Sequence, residues 1–124
     1  MADMERNNIK IVRDAISLQD VRKIAEHWYG TIVKGVVDVK RKVIALGGEW
    51  HMDANVVLLA DGSAQEDLWG FNIYPDERGD MALEYVSLIN IRPAQGNRSM
   101  EIEDVKLRGS VKEIVKTLIP DLGL

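Results

Sequence analysis

The sequence predicts an α+β fold, and three observations carry the prediction. Two stretches, 18–29 and 105–119, hold apolar residues at helical spacing behind recognisable start signals. Between them lie β-branched and apolar runs broken by charged or glycine-bearing turns, which read as two hairpins. Hairpins need no long crossover, so the sheet is expected to be mainly antiparallel with helices packed on it. The expected order is β-α-β-β-α-β-β-α, in a single domain over residues 9–124.

Residues 1–8 are polar and charged and are expected to form a flexible tail. Ile9 to Arg13 reads as a short first strand. Ser17 is a natural N-cap, with Asp20 as a variant of the usual Glu three residues on. Leu18, Val21, Ile24, Ala25 and Trp28 then follow at helical spacing, and Gly30 suits the position after the helix. Thr31 to Val39 and Lys42 to Leu46 are the arms of the first hairpin, with Lys40-Arg41 at its tip. Asp53 is placed to cap a short helix over 54–60. A strand is the alternative there, because Val56-Val57-Leu58-Leu59 is an apolar run that periodicity does not resolve.

Leu68 to Tyr74 is the next strand. The charged turn Asp76 to Asp80 leads to Ala82–Arg92, which reads as the longest strand and the antiparallel partner of Leu68–Tyr74. Leu83, Tyr85, Ser87, Ile89 and Ile91 would share one face. Neither face of this strand is wholly polar, so both are expected to be covered, at least in part. Gly70 and Asn72 sit where bulkier residues would favour a strand, which points to close approach of another segment or to a side-chain hydrogen bond. The last helix should bury Leu107, Val111, Ile114, Val115 and Leu118 and stop at Pro120.

A chain of 124 residues fits one domain with one sizeable core. Phe71 is the single phenylalanine, so aliphatic side chains must fill most of it. The net charge of −4 argues against non-specific nucleic-acid binding by the whole surface. The absence of cysteine excludes disulfides, cysteine-zinc sites, iron–sulfur clusters and thiol nucleophiles. No apolar run approaches the roughly 18 residues of a membrane span, and the polar N-terminus carries no signal-peptide pattern. The expectation is a soluble, cytoplasmic protein with no membrane partner.

The polar loop Arg92 to Ser99 is the leading candidate site. Arg92 and Arg98 can each present a planar fork to a phosphate or carboxylate. Gln95, Asn97 and Ser99 add neutral donors, and Gly96 allows close backbone approach. Together they suit a small anionic ligand. In the competing reading the arginines pair with Glu66, Asp67 or Glu103 and lock the loop to the last helix. Glu49, His51 and Asp53 would converge on one face if the backbone there were extended, as metal ligands or as an acid/base group. The rival places Asp53 at a helix cap and His51 in a loop hydrogen bond. So few nitrogen ligands predict no tight transition-metal site, and no cofactor is implied. His51, Glu49 and Glu66 remain the catalytic candidates. The stripe Arg108, Lys112, Lys116 can touch nucleic acid but reads better as a solvated helix face.

Two functional classes follow. One is a ligand-binding or enzymatic domain with an anion site at Arg92, Gln95, Asn97, Arg98 and Ser99. The other is a non-enzymatic interaction module, a homo-oligomer, whose arginine loop is structural.

Three stretches carry a family resemblance: Gly47-Gly48-Glu49-Trp50-His51, Gln65 to Pro75, and Ile89 to Ser99. With the Ser17-capped helix they resemble an uncharacterised family of short prokaryotic proteins, a domain of unknown function. The resemblance runs from about Ile9 to Leu118. It implies no reaction, cofactor or partner.

Overall fold

The computed structural model describes residues 8–124. All but the last residue of the expected tail at 1–8 lies outside the described residues. In chain order the elements are β1 (Lys10–Val12), α1 (Leu18–His27), β2 (Val33–Asp38), β3 (Val43–Leu46), α2 (His51–Ala60), β4 (Leu68–Ile73), β5 (Leu83–Glu84) and α3 (Val105–Leu118). The fold is α+β, with five antiparallel strands in the order β1-β3-β2-β4-β5. No helix among the described residues is long and apolar enough to cross a membrane.

Both faces of the sheet are covered, because the central strands are apolar on both sides. Val37, Ile44, Leu46, Trp69, Phe71 and Ile73 face α1 and α3 and meet Val21, Ile24, Val111, Ile114 and Leu118. Val36, Val43, Ala45 and Leu68 face the other way and meet Ala54, Val57 and Leu58 of α2. Gly35 makes room for Phe71: a Cβ there would lie 2.4 Å from the Phe71 ring.

The helix ends follow local chemistry. The Ser17 hydroxyl accepts the Asp20 N–H at 3.1 Å, and Asp104 caps α3 through the N–H groups of Lys106 and Leu107. Residues 54–60 are helical, and the helix begins at His51, earlier than expected. Its cap residue is Trp50, and Asp53 sits one turn in, where its carboxylate accepts the Trp50 N–H at 2.9 Å. The β2–β3 tip is pinned by Asp38, which is fully buried and accepts the N–H groups of Lys40 and Arg41. Ser63 donates to Asp38 at 2.6 Å, and Arg41 bridges Ser63 and Asp61.

The long strand expected over Ala82–Arg92 is not there. Pairing with β4 stops after Glu84, and the chain then makes tight 3₁₀ turns at Leu88–Asn90 and Pro93–Gln95. The cause is Gly70. A Cβ on it would lie 2.4 Å from the Ser87 Cβ, so the 87–89 segment lies across the face of β4 rather than alongside it. The close approach expected at Gly70 is therefore real.

Candidate functional site

Where a strand is missing, side chains complete the edge of β4. The Asn90 amide accepts the Gly70 N–H at 2.8 Å and donates to the Gly70 carbonyl at 3.0 Å. Two residues back along β4, Arg92 donates to the Leu68 carbonyl, and also to the Gln65 carbonyl at 2.9 Å. Its guanidinium lies 3.8 Å from the centre of the Trp69 ring, a stacking geometry. The Arg92 Nε is buried without a partner. Burial lowers the Arg92 pKa, and a guanidinium still stays charged in the neutral range. Arg92 thus meets backbone carbonyls and a ring, not the carboxylates of Glu66 or Asp67.

The rest of the loop turns inward as well. Asn97 is buried; its Nδ2 donates to the carbonyls of Asn90, Ser99 and Glu101, and its Oδ1 accepts the Glu103 N–H at 2.8 Å. Gln95 donates to the Glu66 carbonyl at 3.1 Å and accepts from Arg92. The Ser99 hydroxyl donates to the Glu101 carbonyl. The N–H groups of Arg98 and Ser99 both point at one oxygen of Glu103, each at 2.9 Å. Those two hydrogen bonds hold the exposed Glu103 carboxyl below its ordinary pKa. The Arg98 side chain is exposed and forms no ion pair or hydrogen bond among the described residues.

Glu49, His51 and Asp53 do not form the converging row that an extended backbone would give, because helix α2 begins at His51. Asp53 turns back to Trp50, and Glu49 offers its carbonyl to the Tyr29 hydroxyl at 2.9 Å. Among the described residues, no group of three or more histidine and acidic side chains is arranged to hold a metal ion. His51 instead reaches the sheet. Its Nε2 lies 2.9 Å from the Phe71 carbonyl and 2.8 Å from the Asn72 Oδ1. Asn72 in turn donates to Glu84 at 2.9 Å and to the Val86 carbonyl at 3.2 Å, and the Tyr74 hydroxyl donates to the same Glu84 oxygen. Burial, the largest influence, lowers the His51 pKa below its usual 6.5.

His51 opens onto a groove of about 510 Å³. Ile32, Lys34, Trp50, Met52, Leu88 and Met100 are among its walls; Arg92, Gln95, Asn97, Arg98 and Ser99 are not. The groove at His51 therefore does not extend to the arginine loop. Lys34 and Asn72 are cross-strand partners, as are Asn72 and Glu84, which aligns three polar residues across one face of the sheet. Sequence reading missed Lys34 and Glu84. Lys34 was the visible signal, a lone cation inside the β-branched run Thr31–Val39.

Two other candidates behave as surface. Arg108 lies 3.9 Å from Glu101, and Lys112 lies 3.4 Å from Asp80. Trp69 is 4% exposed and packs in the core, with Arg92 over its ring.

No curated protein and no solved structure matches this chain. A family model described as "Protein of unknown function (DUF5674)" matches residues 10–118, most of the chain. On that match, the chain belongs to this family of unknown function.

Proposed function

We propose that the protein is a non-enzymatic interaction module that pairs with a second copy of itself through the outer face of α2. The observation that carries this reading is the composition of that helix. Apart from polar residues near its start, α2 is apolar toward the sheet and toward solvent: Ala54, Val57 and Leu58 face the sheet, while Met52, Val56 and Leu59 lie in solvent. The outer three are spaced i, i+4, i+7, one continuous stripe. Val56 is 54% exposed and Met52 is 49% exposed. An outer apolar stripe of this kind is normally covered. The stripe carries no charge, so it suits an equally uncharged surface, and a second copy supplies one. Pairing like with like gives a closed two-fold dimer.

Sedimentation equilibrium tests this. The wild type should pass from monomer to dimer as concentration rises, and Val56→Asp should stay monomeric with an unchanged melting temperature. A wild type that is monomeric throughout would remove the reading.

The anion-site reading of the loop has one observation in its favour, the unpaired Arg98. Against it, Glu103 already occupies the two N–H groups an anion would use. Phosphate at fixed ionic strength should raise the wild-type melting temperature, and not that of Arg98→Ala, if this second reading holds.

A further inference from the structure

We propose that the groove between β2 and the start of α2 binds a small apolar carboxylate that also carries a hydroxyl or amide N–H. Lys34 would pair with the carboxylate, and His51 Nδ1 would accept the hydrogen bond. The inference does not depend on self-association through α2.

The argument starts from the proton on His51. Both neighbours of Nε2, the Phe71 carbonyl and the Asn72 Oδ1, are acceptors. The Asn72 amide has no freedom to present its nitrogen instead, because that nitrogen faces the Glu84 carboxylate and the Val86 carbonyl. Nε2 therefore carries the proton, and Nδ1 is left with its lone pair. Nδ1 has no hydrogen-bond partner among the described residues and is not among the buried atoms that lack one, so it is accessible, on a ring that lines the groove. Burial lowers the pKa of the ring, with the Phe71 and Asn72 hydrogen bonds opposing, Lys34 adding to the lowering and Glu84 opposing it.

The network behind the ring is more than a tether. The Phe71 carbonyl alone would tie α2 to the sheet. The structure adds Asn72, only 6% exposed and held in turn by Glu84 and the Val86 carbonyl, with the Tyr74 hydroxyl donating to the same Glu84 oxygen. Placing a buried amide there costs desolvation that an isoleucine would avoid. What the network achieves is one fixed ring orientation with one nitrogen exposed, the arrangement of a recognition group held by a positioning residue.

Lys34 supplies the charge. It forms no ion pair among the described residues, and its ammonium lies 5.2 Å from the ring centres of both Tyr29 and Trp50. The remaining walls, Ile32, Met52, Leu88 and Met100, take hydrocarbon. A cation, a neutral acceptor and apolar walls in a groove of this size describe an amphipathic acid rather than a phosphate or a sugar.

Phenyllactate, which has all three features, is the probe. Titration followed by the ¹⁵N signal of His51 should move Nδ1, and phenylpropionate, which lacks the hydroxyl, should bind more weakly. Lys34→Met should weaken phenyllactate about tenfold or more, as should His51→Phe. The lysine variant is the decisive one if loss of His51 disturbs the start of α2. The same titration on Val56→Asp separates this site from the α2 interface. No movement of Nδ1 at millimolar phenyllactate, or equal binding by Lys34→Met, would overturn the proposal.

Discussion

The side-chain amide of Asn90 pairs with the peptide of Gly70 as a neighbouring strand would, at 2.8 Å to its N–H and 3.0 Å from its carbonyl. Asn90 is fully buried, and its Nδ2 also donates to the Met100 carbonyl at 3.1 Å. Removing it leaves several buried backbone groups without partners, each worth roughly 1–3 kcal/mol. Asn90→Ala should therefore lose about 3 kcal/mol or more in urea denaturation. The Gly70 amide should lose protection from hydrogen exchange more than its neighbours in β4 do.

Gly70→Ala should be destabilising through a clash rather than a lost bond. Its Cβ would sit 2.4 Å from the Ser87 Cβ and 2.7 Å from the Ser87 hydroxyl. Overpacking of this kind costs roughly 1–3 kcal/mol. Adding Ser87→Gly removes the opposing Cβ, so the double variant should be more stable than the sum of the two single effects. Additive losses in a double-mutant cycle would show that the two residues do not press on each other.

The two arginines of the loop should behave differently. Arg92→Ala removes hydrogen bonds to two carbonyls and a stack on Trp69 and should cost roughly 1–3 kcal/mol. Arg98→Ala removes an exposed side chain and should stay within about 0.5 kcal/mol. Thermal melts of the two variants, side by side, decide the matter.

Acid stability should depend on Asp61. Hydrogen bonds from Arg13, then Arg41, hold its carboxyl below the ordinary 3.8. Because the folded value is the lower one, the contribution is fully present above pH 3.8 and is lost as pH falls through the folded value. Wild type should thus lose more stability than Asp61→Asn between about pH 5 and the acid transition. Parallel curves would mean that the arginines do not favour the ionised form.

Ile114 lies at 7% exposure against the sheet. Ile114→Ala should cost roughly 2–5 kcal/mol, and Arg108→Ala on the solvent side almost nothing. Equal losses in urea would contradict the assigned faces of α3.

The sequence was informative wherever pattern and local chemistry agreed. Ser17 marked the start of α1, and the i, i+3, i+4 spacing of Leu107 to Leu118 marked α3. It misled at 85–92, where apolar and polar residues alternate as in a strand. The 87–89 segment lies over Gly70, a long-range contact that no local window reports. The arginine loop looked like an anion site for a sound reason: its N–H groups do hold an anion, and the anion is Glu103. His51 was visible as a polar candidate, but its partners lie far along the chain in β4 and beyond, at Phe71, Asn72 and Glu84. Their convergence depends on sheet register, and the misread fifth strand hid that register.

The side chains that finish β4 also set a limit on growth. An exposed strand edge is a template for further strands, and chains that offer one can polymerise without end. Here Asn90 and Arg92 occupy the hydrogen-bonding groups that a new strand would need at Gly70 and Leu68. At the opposite end of the sheet, β1 is three residues long. Together with the two-residue β5, these features leave little free strand edge on which a further strand could be added.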